Sequence, residues 1–531
     1  MKILLLFAFF ISFSTVAQEE HAWIYFKDKP HAQQALEDPY SILSAKAIER
    51  KKLRNTPIDA RDVPVHDGYI STLKAREGIV VKAKSKWLNC VHVLGTLEDI
   101  SELSSLDFVS SIEYANKNLT NRTSEQFQVV ANKLETNTDF VYGPAENQVQ
   151  MLNTDFLHEN DFTGEGLTIA VMDAGFPNVN TLEAFARLRS KGKLLGGYNF
   201  PDRSNNIDDP SLSAHGTLVL ATMAASLEAR FTGTAPDASY YLFRTEIGPT
   251  ETPVEESYWV EAAERADSLG VDIINTSLGY TSFDNPDYSY TPEAMNGITT
   301  FISRGANIAT EKGILVINSA GNRGDEEYFN IISAPADANV LTIGAVDKDR
   351  NYALFSSTGP STDNRIKPDL AAQGLEIVTV DEFDNLVTVS GTSFSSPILA
   401  GSAASLWQVN PSWTNLELME ILRKSGSQFQ SPDDLLGYGI PDLAKAFKEF
   451  ENKKIEIDEF TFFPNPVQNV LSFVNPDSQD FDVTIYDTLG QKLLHKKKVQ
   501  NQIDLTGFSS GIYIVMFEQN NSRNSFLILK E

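Results

Sequence analysis

Apolar residues follow three different rhythms along the chain. Beyond Asn147 the runs "LTIAVMD", "YYLFR", "VDIINTSLG", "ILVINSAGN" and "VLTIGAVD" are almost continuously apolar and stop at Gly, Asn, Asp or Ser. Between several of them lie helix-period stretches such as "HGTLVLATMAASLEA" and "EESYWVEAAERADSLG". Strands that are apolar on both faces and separated by helices predict a mostly parallel sheet with helices on each side, an α/β/α arrangement in three layers. Ligands of such folds bind at the carboxyl ends of the strands, so chemistry is sought where these runs stop.

From His21 to Lys117 the rhythm is mixed. Short strands ("AWIYF", "GIVVKA", "CVHVLG", "FVSSIEYA") alternate with helix-like stretches over 42–53 and 97–106, which predicts a small α+β domain over residues 18–117. Residues 118–146 are rich in Asn and Thr and only weakly periodic, as an exposed linker is. After the α/β region, 147–452, the segment 460–531 holds short strands and turns with no helix-period stretch, and predicts a small β-sandwich. No internal repeat of useful period appears.

The first residues, "MKILLLFAFFISFSTVAQEE", change this picture. Lys2, an apolar run from Ile3 to Phe13, and the small residues Thr15 and Ala17 form the layout of a secretory signal peptide over residues 1–17. No other apolar run reaches the ~20 residues of a membrane helix, so no membrane insertion is expected once the signal is removed. An exported chain with one cysteine, Cys90, forms no disulfide within itself. The net charge of -27 argues against nucleic acid or an anionic membrane as partner. Residues 18–117 are nearly neutral, with 14 Lys plus Arg against 15 Asp plus Glu, so the acidic excess lies downstream.

Within 147–452 there are only two histidines, His158 and His215, so an imidazole base has a short list. His158, in "FLHEND", precedes the first core run and reads as a satisfied or solvated residue. His215, in "SAHGTLVLATMAA", stands at a helix start, beside a glycine that lets backbone approach closely. Asp173 ends the first core run; it is either a cap of the next turn or the carboxylate that orients His215. Ser393, in "VSGTSFSSPILAG", is either a helix cap or a nucleophile at a helix N-terminus, where N–H groups and the dipole favour an oxyanion. Pro397 is expected in the first turn of that helix, where a missing N–H costs little. Asn322, in "ILVINSAGNRG", is either a turn residue or a second oxyanion donor. "GFSSG" at 507–511 mimics a hydrolase nucleophile motif but lies in the β-only region with no histidine after it, and reads as a turn.

Together "VMDAGF", "AHGT", "INTSLG", "NSAGN", "KPDLAAQG" and "GTSFSSP" resemble, in order, the signature motifs of the subtilisin family of serine proteases. The resemblance spans the central domain and implies a subtilisin-like fold. It also implies an endopeptidase acting through the triad Asp173, His215 and Ser393, with Asn322 as oxyanion donor. It places an extended peptide substrate along Ser277, Leu278 and Gly279, with Ser319, Ala320 and Gly321 on the other wall of the primary pocket. No cofactor is implied for catalysis; structural calcium is common in the family, and the Asp208-Asp209 loop is a place to look for it, though no ligand set is named. The chain departs from the pattern at Ala174, Phe394, Ser395 and Gln373, none of which is a reacting group.

Region 18–117 resembles the inhibitory propeptides of such proteases. Segment 460–531, with "FPNPVQNVLSF" and "SSGIYIVMF", resembles the C-terminal sorting domain of type IX secretion cargo. The expected partners are protein or peptide substrates, the chain's own propeptide and the type IX machinery, with secretion or surface display after crossing both membranes. A silent adhesin or binding protein on the same scaffold is the rival reading. The acidic stretch before the substrate segment, "ETPVEESYWVEAAERADSLG", raises the further expectation of a preference for basic side chains.

Overall fold

The computed structural model describes residues 18–119, 141–326, 330–457, 461–463, 467–474, 481–487, 491–499, 502–519 and 522–530. The expected signal peptide and most of the expected linker lie outside the described residues. The chain divides into two compact units, residues 1–446 and 447–531.

In the first unit the N-terminal region forms a four-stranded antiparallel sheet from β1 (Glu19–Phe26), β2 (Val80–Ser85), β3 (Cys90–Thr96) and β4 (Val109–Tyr114), in the order β2-β3-β1-β4. The near-continuous run "AWIYF" is explained by burial on both faces of β1. Ala22, Ile24 and Phe26 join Val91 and Val93 in a core internal to this domain. Trp23 points the other way, into the core it shares with the α/β body. The helix expected over 42–53 spans Ala45–Leu53, and the one expected over 97–106 spans Leu97–Glu102 with a further turn at Leu103–Ser105. Two more helices, Ala32–Glu37 and Asp67–Lys74, were not anticipated from the sequence; they are short and only weakly apolar.

The α/β body is built on a seven-stranded sheet of β5 (Thr168–Asp173), β6 (Leu194–Asn199), β7 (Ser239–Arg244), β8 (Ile273–Thr276), β9 (Leu315–Ser319), β10 (Leu341–Val346) and β11 (Leu370–Gln373). Their order is β11-β10-β9-β8-β5-β7-β6, and every pairing is parallel. Helices His215–Ala224 and Thr392–Val409 pack together on one side, and helices Val254–Leu269 and Phe301–Glu311 on the other. This is the subtilisin-like three-layer architecture. After β5 the chain runs first to β6 and β7, then crosses to β8, so the strand order reverses beside β5. A crevice opens at the carboxyl ends there.

The N-terminal domain lies on the Val254–Leu269 side. Arg50 and Lys51 of its helix reach Asp267, with Lys51 Nζ 2.8 Å from the carboxylate, and Arg54 reaches Asp272 at 2.7 Å. Glu264 accepts the Ser85 hydroxyl at 2.6 Å and the Lys86 and Trp87 N–H groups at 2.9 Å each. Trp23 stacks on Phe301 with ring centres 4.6 Å apart.

In the second unit a three-stranded antiparallel sheet (Thr461–Phe463, Val470–Val474, Gln502–Asp504) and a four-stranded one (Phe481–Asp487, Lys492–Val499, Gly511–Gln519, Ser522–Lys530) share a core of Leu471, Val483, Ile503, Val515 and neighbours. That is the expected small β-sandwich. "GFSSG" falls in the turn before Gly511–Gln519. The helix Leu443–Ile457 runs past residue 452, where the α/β region was expected to end, because its polar, helix-forming sequence continues unbroken.

Candidate active site

Asp173 is the last residue of β5 and is fully buried. Its Oδ1 accepts the Ala174 N–H at 2.7 Å and the Nδ1–H of His215 at 2.8 Å. Its Oδ2, equally buried, has no partner. His215 opens its helix, and Gly216 explains how it comes so close. A Cβ at Gly216 would stand 2.4 Å from the Gly175 carbonyl and 2.9 Å from the Asp173 Cβ, so only glycine lets this helix meet the strand end. With Nδ1–H given to a carboxylate, Nε2 is left as the acceptor. Burial alone would depress the imidazole, but the charge and hydrogen bond of Asp173 outweigh it and raise its pKa above the ordinary value of 6.5. About a third of the His215 side chain faces the cleft, and its ring lies 5.8 Å from that of Phe394.

Ser393 is the second residue of the Thr392–Val409 helix, after Gly391 with φ 148°. Its hydroxyl donates to the Ser277 carbonyl at 3.3 Å, and the Ser277 hydroxyl donates to the Ser393 carbonyl at 2.8 Å. The second bond corrects the expectation for Pro397. That proline is the sixth helical residue, not in the first turn, and the N–H it lacks is the one that would serve the carbonyl of Ser393, four residues earlier. Ser277 supplies the missing donor. The segment expected to bind substrate is thereby tied to the backbone of the nucleophile candidate.

Asn322 follows β9. Its Oδ1 accepts both the N–H and the hydroxyl of Thr392, at 2.8 and 2.9 Å. This fixes which way the amide points: Nδ2 turns toward Gly391, 3.4 Å from where a Cβ of that residue would be, with no partner of its own. Thr392 also accepts the Gly321 N–H at 3.2 Å. Its positioning role was missed in the sequence, although it stands in the same short motif as Ser393.

Ser277, Leu278 and Gly279 continue beyond β8, and Ser319, Ala320 and Gly321 end or follow β9. The two walls are bridged by the Asn318 side-chain amide, which donates to the Leu278 carbonyl at 3.2 Å. A cleft of about 820 Å³ runs past Ala174, His215, Ser277, Leu278 and Gly279 to Glu246 and Glu251. Burial, then the carboxylates around them, push Glu251 and Glu255 up to about 7, and Glu246 well above its usual range. These carboxyls therefore hold protons near neutrality. The acidic stretch is therefore only partly ionised near neutrality.

Elsewhere His158 is the satisfied residue expected: it is buried, with Nδ1 2.8 Å from the Tyr142 hydroxyl and Nε2 3.1 Å from the Thr234 carbonyl. In the Asp208-Asp209 loop, Asp208 accepts from Asn180, and Asp209 accepts the N–H and hydroxyl of Ser211. Among the described residues no three or more His, Cys, Asp or Glu gather as metal ligands.

Comparison with known proteins gives the family of the α/β body and of its flanking regions. The model of the subtilase family matches residues 164–439, just over half of the chain. The Bacteroidota peptidase S8 propeptide domain matches residues 21–130, and the secretion system C-terminal sorting domain matches residues 461–530. The chain is 29% identical over 294 residues to Subtilisin Savinase of Lederbergia lenta, covering 54% of this chain and 93% of the relative. Over the same length it is 29% identical to an alkaline protease of Alkalihalobacillus alcalophilus, where it spans 66% of the relative, just under two thirds. Serine protease AprX of Bacillus subtilis is 29% identical over 301 residues, covering 51% of this chain and 63% of that one. The solved structure of the epidermin leader peptide processing serine protease of Staphylococcus aureus superposes with a TM-score of 0.53 at 17% identity, over 81% of this chain and 99% of its own, and shows the fold alone.

Proposed function

This chain belongs to the subtilase family, and on that footing we propose that Asp173, His215 and Ser393 are its catalytic triad and Asn322 its side-chain oxyanion donor. The reading is of a serine endopeptidase, exported with a propeptide and a sorting domain for type IX secretion. The observation that carries the residue assignment is the Asp173–His215 bond of 2.8 Å, at the strand ends where the helix bearing Ser393 begins.

The reaction follows from these positions. A peptide lies along Ser277, Leu278 and Gly279 as an added strand, held by main-chain hydrogen bonds that suit any sequence. His215 Nε2 takes the proton of Ser393 as its oxygen attacks the scissile carbonyl, and Asp173 stabilises the imidazolium that forms. The oxyanion is met by the Asn322 Nδ2 and the N–H of Ser393. His215 then returns the proton to the leaving amine, and water, activated in the same way, releases the acyl group. In the resting state Ser393 is bonded to the Ser277 carbonyl and not to His215; such contacts tighten when substrate arrives.

No step uses a metal or cofactor. Calcium enters this reading only as a structural ion. The proposed division is a signal peptide 1–17, propeptide 18–117, linker 118–146, peptidase 147–452 and sorting domain 460–531. Among the described residues no helix is long and apolar enough to cross a membrane. The silent adhesin is disfavoured because no reacting group is missing.

The test is labelling of the full chain with a fluorophosphonate, which needs an activated serine. Wild type takes the label and Ser393→Ala does not. A chain that stays unlabelled once freed of its propeptide would overturn the assignment.

A further inference from the structure

We propose that Ser333 makes the primary pocket shallow, so that the peptidase cuts after small side chains such as alanine, glycine and serine. This rests on the protease reading above and names its substrate class. The two walls of the pocket present glycines to each other, Gly279 on one side and Gly321 on the other. Ordinarily a slot between two residues without Cβ atoms admits a long or flat side chain. Here the space between them is taken. A Cβ at Gly279 would stand 2.1 Å from the Ser333 hydroxyl, and one at Gly321 would stand 3.2 Å from the same oxygen and 2.8 Å from the Ser357 hydroxyl.

Ser333 is held in place by both walls. Its N–H donates to the Ala320 carbonyl at 3.3 Å, and the next carbonyl, of Ala334, accepts the Tyr280 N–H at 2.8 Å. The segment thus crosses under the slot like a floor, backed by the small apolar cluster of Ala320, Ile332 and Ala336. Ser333 is 5% exposed, and its hydroxyl has no hydrogen-bond partner. A buried hydroxyl without a partner adds no hydrogen bond to the stability of the fold. What it does is occupy the volume into which the substrate side chain would descend. A side chain of one or two heavy atoms fits above it; a phenylalanine or leucine meets the hydroxyl.

The experiment is a digest of denatured casein by the self-matured full chain, as wild type, Ser333→Ala and Ser333→Gly, with cleavage sites read by mass spectrometry. Wild type is expected to cut after alanine, glycine and serine. Ser333→Gly should raise cutting after phenylalanine and leucine, relative to alanine, by at least about tenfold, with Ser333→Ala between the two. Both variants remove an unpartnered group and should fold as wild type does. Cutting after large residues in wild type, or a ratio unchanged by Ser333→Gly, would overturn the pocket assignment while leaving the protease reading intact. Failure of all three forms to cut casein or to take a fluorophosphonate would overturn the protease reading, and this inference with it.

Discussion

The proposed substrate cleft and the propeptide interface both lie on the α/β body and differ in how they use charge. Around the cleft, two buried polar atoms stand without partners, the Asp173 Oδ2 and the Ser333 hydroxyl, and the exposed Asn322 amide uses only its oxygen, on Thr392. At the interface, the buried charges find counter-charges, although the Arg50 Nε and the Trp87 indole N–H are left without a hydrogen bond there too. Arg50 and Lys51 meet Asp267, Arg54 meets Asp272, and Lys312 of the peptidase meets Asp62 of the propeptide at 2.6 Å. On the proposed reading the Asn322 Nδ2 is the donor left open for an oxyanion, as preorganised catalysis requires. The interface joins this charge to an apolar contact, Trp23 on Phe301, so that only part of each side returns to water as a hydrated surface when the two separate.

The largest effect expected from breaking the cleft's side of this contrast is that of Ser393→Ala. Loss of the nucleophile should lower turnover by about 10⁶-fold, the range measured on subtilisin itself. The measurement is the intact mass of the purified chain. Wild type should be cut within 118–146, whereas Ser393→Ala should stay whole with its fold unchanged; an uncut wild type would mean that the chain does not mature itself.

Removing the open donor comes next. Asn322→Ala should lower kcat by about 10²–10³-fold with little change in KM, again the range known for this donor in subtilisin itself. Thr392→Val sharpens the point. It leaves the amide in place but removes one of the two bonds that fix its direction, so kcat should fall by less than with Asn322→Ala. Equal losses would mean that the threonine hydroxyl, and not the amide, carries the effect.

At the interface the corresponding change is Asp267→Asn. It leaves Arg50 buried with no anion to meet and Lys51 with Asp62 alone, and deleting one member of a buried pair typically costs about 3–5 kcal/mol. That corresponds to a propeptide held roughly 10²–10⁴-fold more weakly. Co-purification of the cleaved propeptide with the peptidase reads it directly, and retention equal to wild type would show that the ion pairs do not hold the complex.

How far this contrast was legible in the sequence differs between its two sides. The parallel strands and the places of Asp173, His215, Ser393 and Asn322 near the strand ends could be read because each depends on a short motif. Thr392 lay inside such a motif but looked like a helix start. Ser333 gave no signal, since its position depends on two glycines more than 50 residues upstream and 12 residues upstream, brought together only by folding. Pro397 was placed in the wrong turn because helix starts are hard to fix from sequence; the correction came from the Ser277 hydroxyl that completes its broken bond. The interface charges were invisible for the reason that an acidic helix reads as solvated until its partner is known. Glu264 faces the propeptide and not water.

The smallest predicted effect is on pH, where the interface carries two opposed sets of groups. His21 and His92 bond to each other at 2.9 Å, and His92 lies 2.8 Å from the Ser257 hydroxyl, which also accepts the Trp23 indole N–H. Burial, then the charge of nearby Lys82, lowers His21 to about 4; burial, then His21, lowers His92 well below its ordinary value. Depressed histidines contribute binding that is present above 6.5 and lost as the pH falls through their bound values. Glu256 and Glu264, raised by burial to about 7, contribute binding that is full below 4.5 and lost as the pH rises through about 7. The two trends oppose each other over the same window, so propeptide retention in wild type should change little between about pH 5 and about pH 7. Replacing both histidines by glutamine should leave the carboxyl trend alone, with retention tightening as the pH falls. Glu264→Gln should tilt it the other way, loosening toward acid, each by at most about tenfold per pH unit for each group that titrates. If both variants stayed as flat as wild type, these groups would not be titrating with release, and the interface would be held by its ion pairs and by Trp23 on Phe301 alone.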